Sequence, residues 1–227
     1  PIKALSTKER IEMPLKLYSH PLSSFCQKVL IALYENETPF EPHMVDFSSA
    51  TSNAALKAIW PVGRIPVLRD EANDRTIPES TIIIEYIEQR YPGETRLLPA
   101  DPDIATVVRL EDRFFDLYVN VPMQKIVGDR LRPAGKKDPH GVEEATSLLL
   151  IAYGMVEQKL SRRAWAAGDA FSMADCAAAP ALFYANMVRP LGETHTHAMA
   201  YLRRLAERPS FARVLCEAKP YLNLVPK

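Results

Sequence analysis

Leu15-Lys16-Leu17-Tyr18-Ser19-His20-Pro21-Leu22-Ser23-Ser24-Phe25-Cys26-Gln27-Lys28-Val29-Leu30-Ile31-Ala32-Leu33 carries two periodicities joined by a turn. Its first four residues make a short strand-like run, the turn-forming residues from His20 to Ser24 end it, and Phe25, Val29, Ala32 and Leu33 then recur at helical spacing. Ser24 and Gln27 stand at the separation of a capping box, which predicts the helix start. The segment from Phe40 to Phe47 suits a second strand, and a strand-helix-strand unit implies a parallel pair. Further on, Asn53 to Ile59 reads as a short helix. Ile65-Pro66-Val67-Leu68 reads as a strand with Arg75-Thr76-Ile77 as its partner across the turn at Asn73-Asp74. Ser80 opens a helix lined by Ile83, Ile84, Ile87 and Tyr91, which Pro92-Gly93 closes. The order β-α-β-α-β-β-α predicts a small α/β domain over residues 15–92.

Residues 93–103 carry Pro99 and Pro102 and no sustained periodicity, so they read as a linker. Beyond them, residues 104–227 show helical periodicity and no convincing strand. Helices are expected over 104–132 and 142–165. Another starts after Ser172, where Asp175 stands at the return position of a capping box and Pro180 should introduce a kink; two more fall over 196–206 and 209–218. Residues 1–14 mix charges with few apolar side chains and read as a surface extension without the apolar core of a signal peptide.

Composition narrows the function classes. The 227 residues hold 28 Lys+Arg against 28 Asp+Glu, so no net field favours nucleic acid or an anionic membrane. The apolar run from Cys176 to Val188 is too short to span a bilayer. The three cysteines, Cys26, Cys176 and Cys216, are scattered and odd in number, which suits a reducing, cytoplasmic setting better than a disulfide framework. No glycine spacing matches a dinucleotide or phosphate loop, and there is no Gly-x-Ser-x-Gly, His-Glu-x-x-His or Cys-x-x-Cys. His195-Thr196-His197 puts two imidazoles on different sides of a helix with no acidic or sulfur ligand nearby, so no metal site is expected.

The series Leu17-Tyr18-Ser19, Ser23-Ser24-Phe25-Cys26, Val62-Gly63-Arg64-Ile65-Pro66-Val67-Leu68, Glu79-Ser80 and Ser172-Met173-Ala174-Asp175 resembles, in order and spacing, the cytosolic glutathione transferase family. The resemblance implies a thioredoxin-like glutathione-binding domain over 15–92 followed by an all-helical C-terminal domain over 104–227. It also implies a homodimer, glutathione as co-substrate with no metal, and a hydrophobic electrophile as second substrate. The activity it implies is transfer of the glutathione thiolate to that electrophile. An isomerase or dehalogenase on the same site, and a non-catalytic scaffold, stand as alternatives.

Ser23 matches the active-site serine of the serine-type members, such as the zeta, tau and theta classes. Standing alone, Ser23 and Ser24 read as turn and cap residues. The chemistry asked of Ser23 is modest. Lowering a thiol pKa by two units takes about 2.7 kcal/mol; one hydrogen bond to a charged group supplies about 1.5–3 kcal/mol, and a helix N-terminus adds about 0.3–1 kcal/mol. Cys26 is an alternative, as the nucleophile of a thiol transferase, and Tyr18 is another, as a tyrosine-type donor. By the same resemblance, Ile65-Pro66 is a cis bond that leaves the Ile65 backbone to pair with the cysteinyl unit, and Arg64 attracts the glycyl carboxylate. Ser80 then donates to the γ-glutamyl carboxylate at a helix N-terminus while Glu79 receives the ammonium. Trp60-Pro61 departs from the family's frequent Asn-Pro, and Lys57 is the nearest candidate for a basic residue of the second helix. Phe114 and Tyr118 are candidates for lining the second-substrate cleft, and equally candidates for core.

Overall fold

The structure is a computed structural model that describes residues 14–226. The expected surface extension therefore lies outside the described residues apart from Pro14. The chain divides into two units between Glu94 and Thr95.

In the first unit, strand β1 (Leu15–Ser19) alternates buried Leu15, Leu17 and Ser19 with half-buried Lys16 and Tyr18, the period of a strand with one face in a core. It lies at the centre of a four-stranded sheet of order β2-β1-β3-β4. The pairing with β2 (Glu41–Met44) is parallel, with Tyr18 opposite His43. Strand β3 (Val67–Asp70) runs antiparallel to β1 and to β4 (Arg75–Pro78). The helices are α1 (Ser24–Glu35), α2 (Ala50–Ile59) and α3 (Ser80–Arg90), with α1 packed against α3. Every residue of α1 from Cys26 to Leu33 is buried, which marks it as a core helix, whereas α2 buries only Leu56.

Local chemistry accounts for the boundaries that differ from the sequence reading. Helix α1 is capped by Ser23 rather than by Ser24: the Ser23 hydroxyl oxygen accepts the Cys26 N–H, and the Gln27 side chain donates to the Pro21 carbonyl at 2.7 Å instead of closing a box with Ser24. Helix α2 starts three residues early, at Ala50, because Ser49 accepts the Ser52 N–H as its cap. Strand β3 begins at Val67 rather than Ile65, since Pro66 has no N–H to give a ladder. The second strand is confined to Glu41–Met44.

The second unit is helical: α4 (Pro102–Phe114), α5 (Val121–Leu131), α6 (Pro139–Leu160), α7 (Met173–Val188), α8 (Thr196–Glu207) and α9 (Pro209–Ala218). The run expected as one helix over 104–132 is interrupted by a π-helical segment, Phe115–Asn120. Pro122 cannot donate to the carbonyl one turn back, and just before it the Val121 N–H reaches five residues back to the Asp116 carbonyl. Leu97, inside the expected 93–103 connection, is buried, and its carbonyl accepts the Met173 N–H at 2.8 Å. Pro180 sits within α7 without ending it. At the start of that helix the buried Asp175 carboxylate accepts from the Ser172 backbone and hydroxyl, the Ala166 N–H and the Tyr201 hydroxyl. These donors hold a carboxylate whose pKa burial nonetheless raises. Among the described residues no helix is long and apolar enough to cross a membrane.

Candidate active site

The turn between β1 and α1 builds one wall of a cleft of about 410 Å³. His20, Leu22 and Ser23 come from that turn, Asp46, Phe47 and Ser48 from the segment after β2, and Ile65 from the loop before β3. Ser23 is half-buried at the N-terminus of α1. Its oxygen accepts the Cys26 N–H at 3.3 Å, and its rotatable hydroxyl, which also reaches the Cys26 sulfur, can turn its proton to an acceptor in the cleft. A group placed there also meets the partial positive charge of the helix end.

Ile65 precedes Pro66 through a cis peptide bond. Its side chain packs on the small core of Val45, Leu56 and Val67, which holds the backbone in place, and among the described residues its amide and carbonyl make no backbone hydrogen bond. Pro66 is itself buried, and Arg64 is exposed. Gly63, at φ +66°, makes the turn, and a Cβ there would come within 3.2 Å of Lys57 Cε, so the Lys57 side chain lies along this loop. Trp60, the departure noted above, packs on the same small core as Ile65.

Glu79 and Ser80 stand at the N-terminus of α3. Glu79 is exposed and has φ +71°, a left-handed conformation that costs a non-glycine residue on the order of 1–3 kcal/mol. It gives α3 no side-chain cap, and the positive end of that helix lies beside it. Ser80 is buried. Neither residue lines the cleft that holds Ser23 and Ile65.

The alternatives to Ser23 occupy different surroundings. Cys26 is fully buried, and burial pushes its thiol up to about 12 against the opposing hydrogen bonds of the Ser23 side chain and the His20 backbone. Such a thiol is not ionised near neutrality and is closed to a disulfide partner. Tyr18 lies against His43 with ring centroids 4.6 Å apart and the rings tilted, packs on the Val45, Leu56 and Val67 core, and does not line the cleft. In the second unit, Phe114 is buried between Phe115, Tyr118 and the Lys159 ammonium, while Tyr118 is exposed. Among the described residues no group of three His, Cys, Asp or Glu side chains is placed to hold a metal.

His20 is a titratable cleft residue that the sequence reading passed over, as it did Leu22, Asp46, Phe47 and Ser48. Its Nδ1 accepts the Leu22 N–H at 3.2 Å, which assigns the proton of the neutral ring to Nε2. Burial lowers its pKa and the Asp46 carboxylate only partly opposes this, so the ring is neutral at pH 7. Its position three residues before Ser23, inside the turn, was the available signal.

Comparison with known proteins follows the two units. Residues 17–95 match the family model for the N-terminal domain of glutathione S-transferases, and residues 116–209 match the model for the C-terminal domain. Glutathione S-transferase 3 of Zea mays is 34% identical over 211 residues, covering 89% of this chain and 93% of that protein. Among solved structures, a glutathione S-transferase from Rhodospirillum rubrum superposes with a TM-score of 0.76 at 28% identity, covering 88% of this chain and 91% of its own. One from Methylobacterium radiotolerans, in complex with glutathione sulfonate, gives 0.75 at 25% identity, covering 88% and 93%.

Proposed function

The chain belongs to the glutathione S-transferase family, and on that premise we propose that Ser23 is the hydroxyl that stabilises the glutathione thiolate for attack on an electrophilic carbon. The activity is that of a glutathione transferase. The relatives carry that name, and nothing in them favours the isomerase, dehalogenase or scaffold alternatives.

The observation that carries the role of Ser23 is its cap geometry: its oxygen is occupied as an acceptor from the Cys26 N–H, its rotatable hydroxyl can turn its proton from the Cys26 sulfur into the cleft, and it shares that cleft with the open backbone of Ile65. In this reading the cysteinyl unit pairs with Ile65 as an added strand would. The γ-glutamyl carboxylate sits on Ser80 and the first amides of α3, Glu79 takes the ammonium, and Arg64 and Lys57 draw the glycyl carboxylate. The sulfur then lies at the start of α1, where the hydroxyl and the helix dipole favour its anion over its thiol. Attack forms a sulfur–carbon bond, and the electrophile's leaving group departs with the displaced electron pair.

A hydrophobic electrophile and a homodimer complete the proposal. Self-association is supported by Ile104, Val107 and Leu110, which follow one another on adjoining faces of α4 and remain exposed. A reducing, cytoplasmic setting is supported by Cys26, Cys176 and Cys216, all three free thiols. The test is thioether formation from glutathione and an activated aryl halide, with binding followed by calorimetry. Ser23→Ala should keep glutathione binding within a few fold and lose roughly 3- to 25-fold in rate at pH 7. Absence of a binding heat at millimolar glutathione would overturn the reading.

A further inference from the structure

Lys28 is 1% exposed, on the inner face of α1, and its Nζ donates to Thr81 Oγ1 at 2.8 Å. Lysine is among the residues least often buried, and an apolar side chain would fill the same space without the desolvation penalty. What an apolar side chain would not supply is a directional bond between two particular atoms, because hydrophobic burial is non-directional. Where those two atoms sit matters here. Lys28 is five residues beyond Ser23 on an unbroken helix, a rigid rise of about 7.5 Å. Thr81 directly follows Glu79 and Ser80 in the first turn of α3.

We propose that Lys28 is a positioning residue: its buried hydrogen bond to Thr81 ties the helix start that holds Ser23 to the helix start that holds Glu79 and Ser80. It thereby sets the span between the sulfur end and the γ-glutamyl end of the bound tripeptide. The inference rests on the glutathione reading above. A second feature agrees with it. Glu79 keeps a left-handed backbone that persists only where its surroundings over-determine it, and the Lys28–Thr81 bond anchors the chain two residues further on.

The test compares glutathione with cysteinylglycine, which keeps the thiol and lacks the γ-glutamyl unit. Thr81→Val removes the acceptor at nearly constant shape; Lys28→Met removes the donor; Thr81→Ser and Lys28→Arg restore each. The wild-type protein should favour glutathione in kcat/KM. Thr81→Val should lower that preference at least fivefold, through KM for glutathione, with kcat/KM for cysteinylglycine unchanged and Thr81→Ser close to wild type. A preference that stays constant while the unfolding temperature falls would overturn the positioning role and leave the bond a matter of stability. A wild-type protein with no preference for glutathione would overturn the functional reading itself. Should Lys28→Met fail to fold, the two Thr81 variants decide the question alone.

Discussion

Replacing Ser23 by glycine separates its two roles. As N-cap of α1 it accepts the Cys26 N–H, and glycine at such a position costs only a few tenths of a kcal/mol, whereas alanine costs about 1 kcal/mol. As thiolate donor it contributes a hydrogen bond to a charged acceptor, about 1.5–3 kcal/mol, and glycine and alanine lose this equally. At about 1.4 kcal/mol per unit, both variants should raise the pKa of bound glutathione by about 1–2 units. From a starting value near 6.5, the thiolate fraction at pH 6.5 falls from about one half to between about 1 and 9%, and the rate falls roughly 5- to 50-fold. Thiolate absorbance in difference ultraviolet titrations reads the first quantity, and thermal unfolding reads the cap. The expected pattern is equal pKa shifts in Ser23→Gly and Ser23→Ala, with the unfolding temperature lowered more by alanine than by glycine. A shift in Ser23→Ala that is missing in Ser23→Gly would refute the reasoning, because the effect would then follow the cap.

Three further outcomes follow from the same geometry. Helix α8 has no side-chain cap from His195; Glu157 of α6 accepts its His197 and Ala198 N–H groups instead. Burial alone would raise the Glu157 pKa, but these bonds hold it below the ordinary value, so its stabilisation exists above the unfolded pKa and is lost as pH falls through the folded one. Glu157→Ala should cost about 1 kcal/mol in urea unfolding at pH 7, with the difference shrinking below pH of about 4. For His20, burial lowers the folded pKa, so the unfolded chain takes up the proton first and stability falls as pH drops from about 6.5 through the folded value. His20→Asn keeps an acceptor for the Leu22 N–H and should flatten that slope in denaturation profiles. Finally, Leu110→Glu places a charge on the exposed apolar face of α4 and should convert a dimer to a monomer by light scattering; an unchanged mass would remove that face from the interface.

The sequence made legible what depends on neighbours along the chain. The alternation in β1 and the buried run of α1 were visible as periodicities, and the mixed α/β unit followed by a helical unit came out of them. What depends on contacts through space was not visible. Ser23 and Ser24 are equally good caps in isolation, and the choice between them is made by the turn from His20, whose carbonyl accepts the Ser23 N–H. Glu79 gave no warning of its left-handed backbone, because that conformation is ordinarily signalled by glycine or asparagine. Pro122 was readable as a proline in a helical run, but the widening of the ladder before it depends on how the whole segment packs. The cis bond before Pro66 entered only through family resemblance, since nothing in the residues themselves demands it.

The most direct measurement of the central claim is a crystal soaked with glutathione. The account places the sulfur within about 3.3 Å of Ser23 Oγ, with the cysteinyl unit on the Ile65 backbone and the γ-glutamyl end at Glu79 and Ser80. A sulfur whose nearest donor is Tyr18, a mixed disulfide at Cys26, or a tripeptide bound away from this cleft would contradict it.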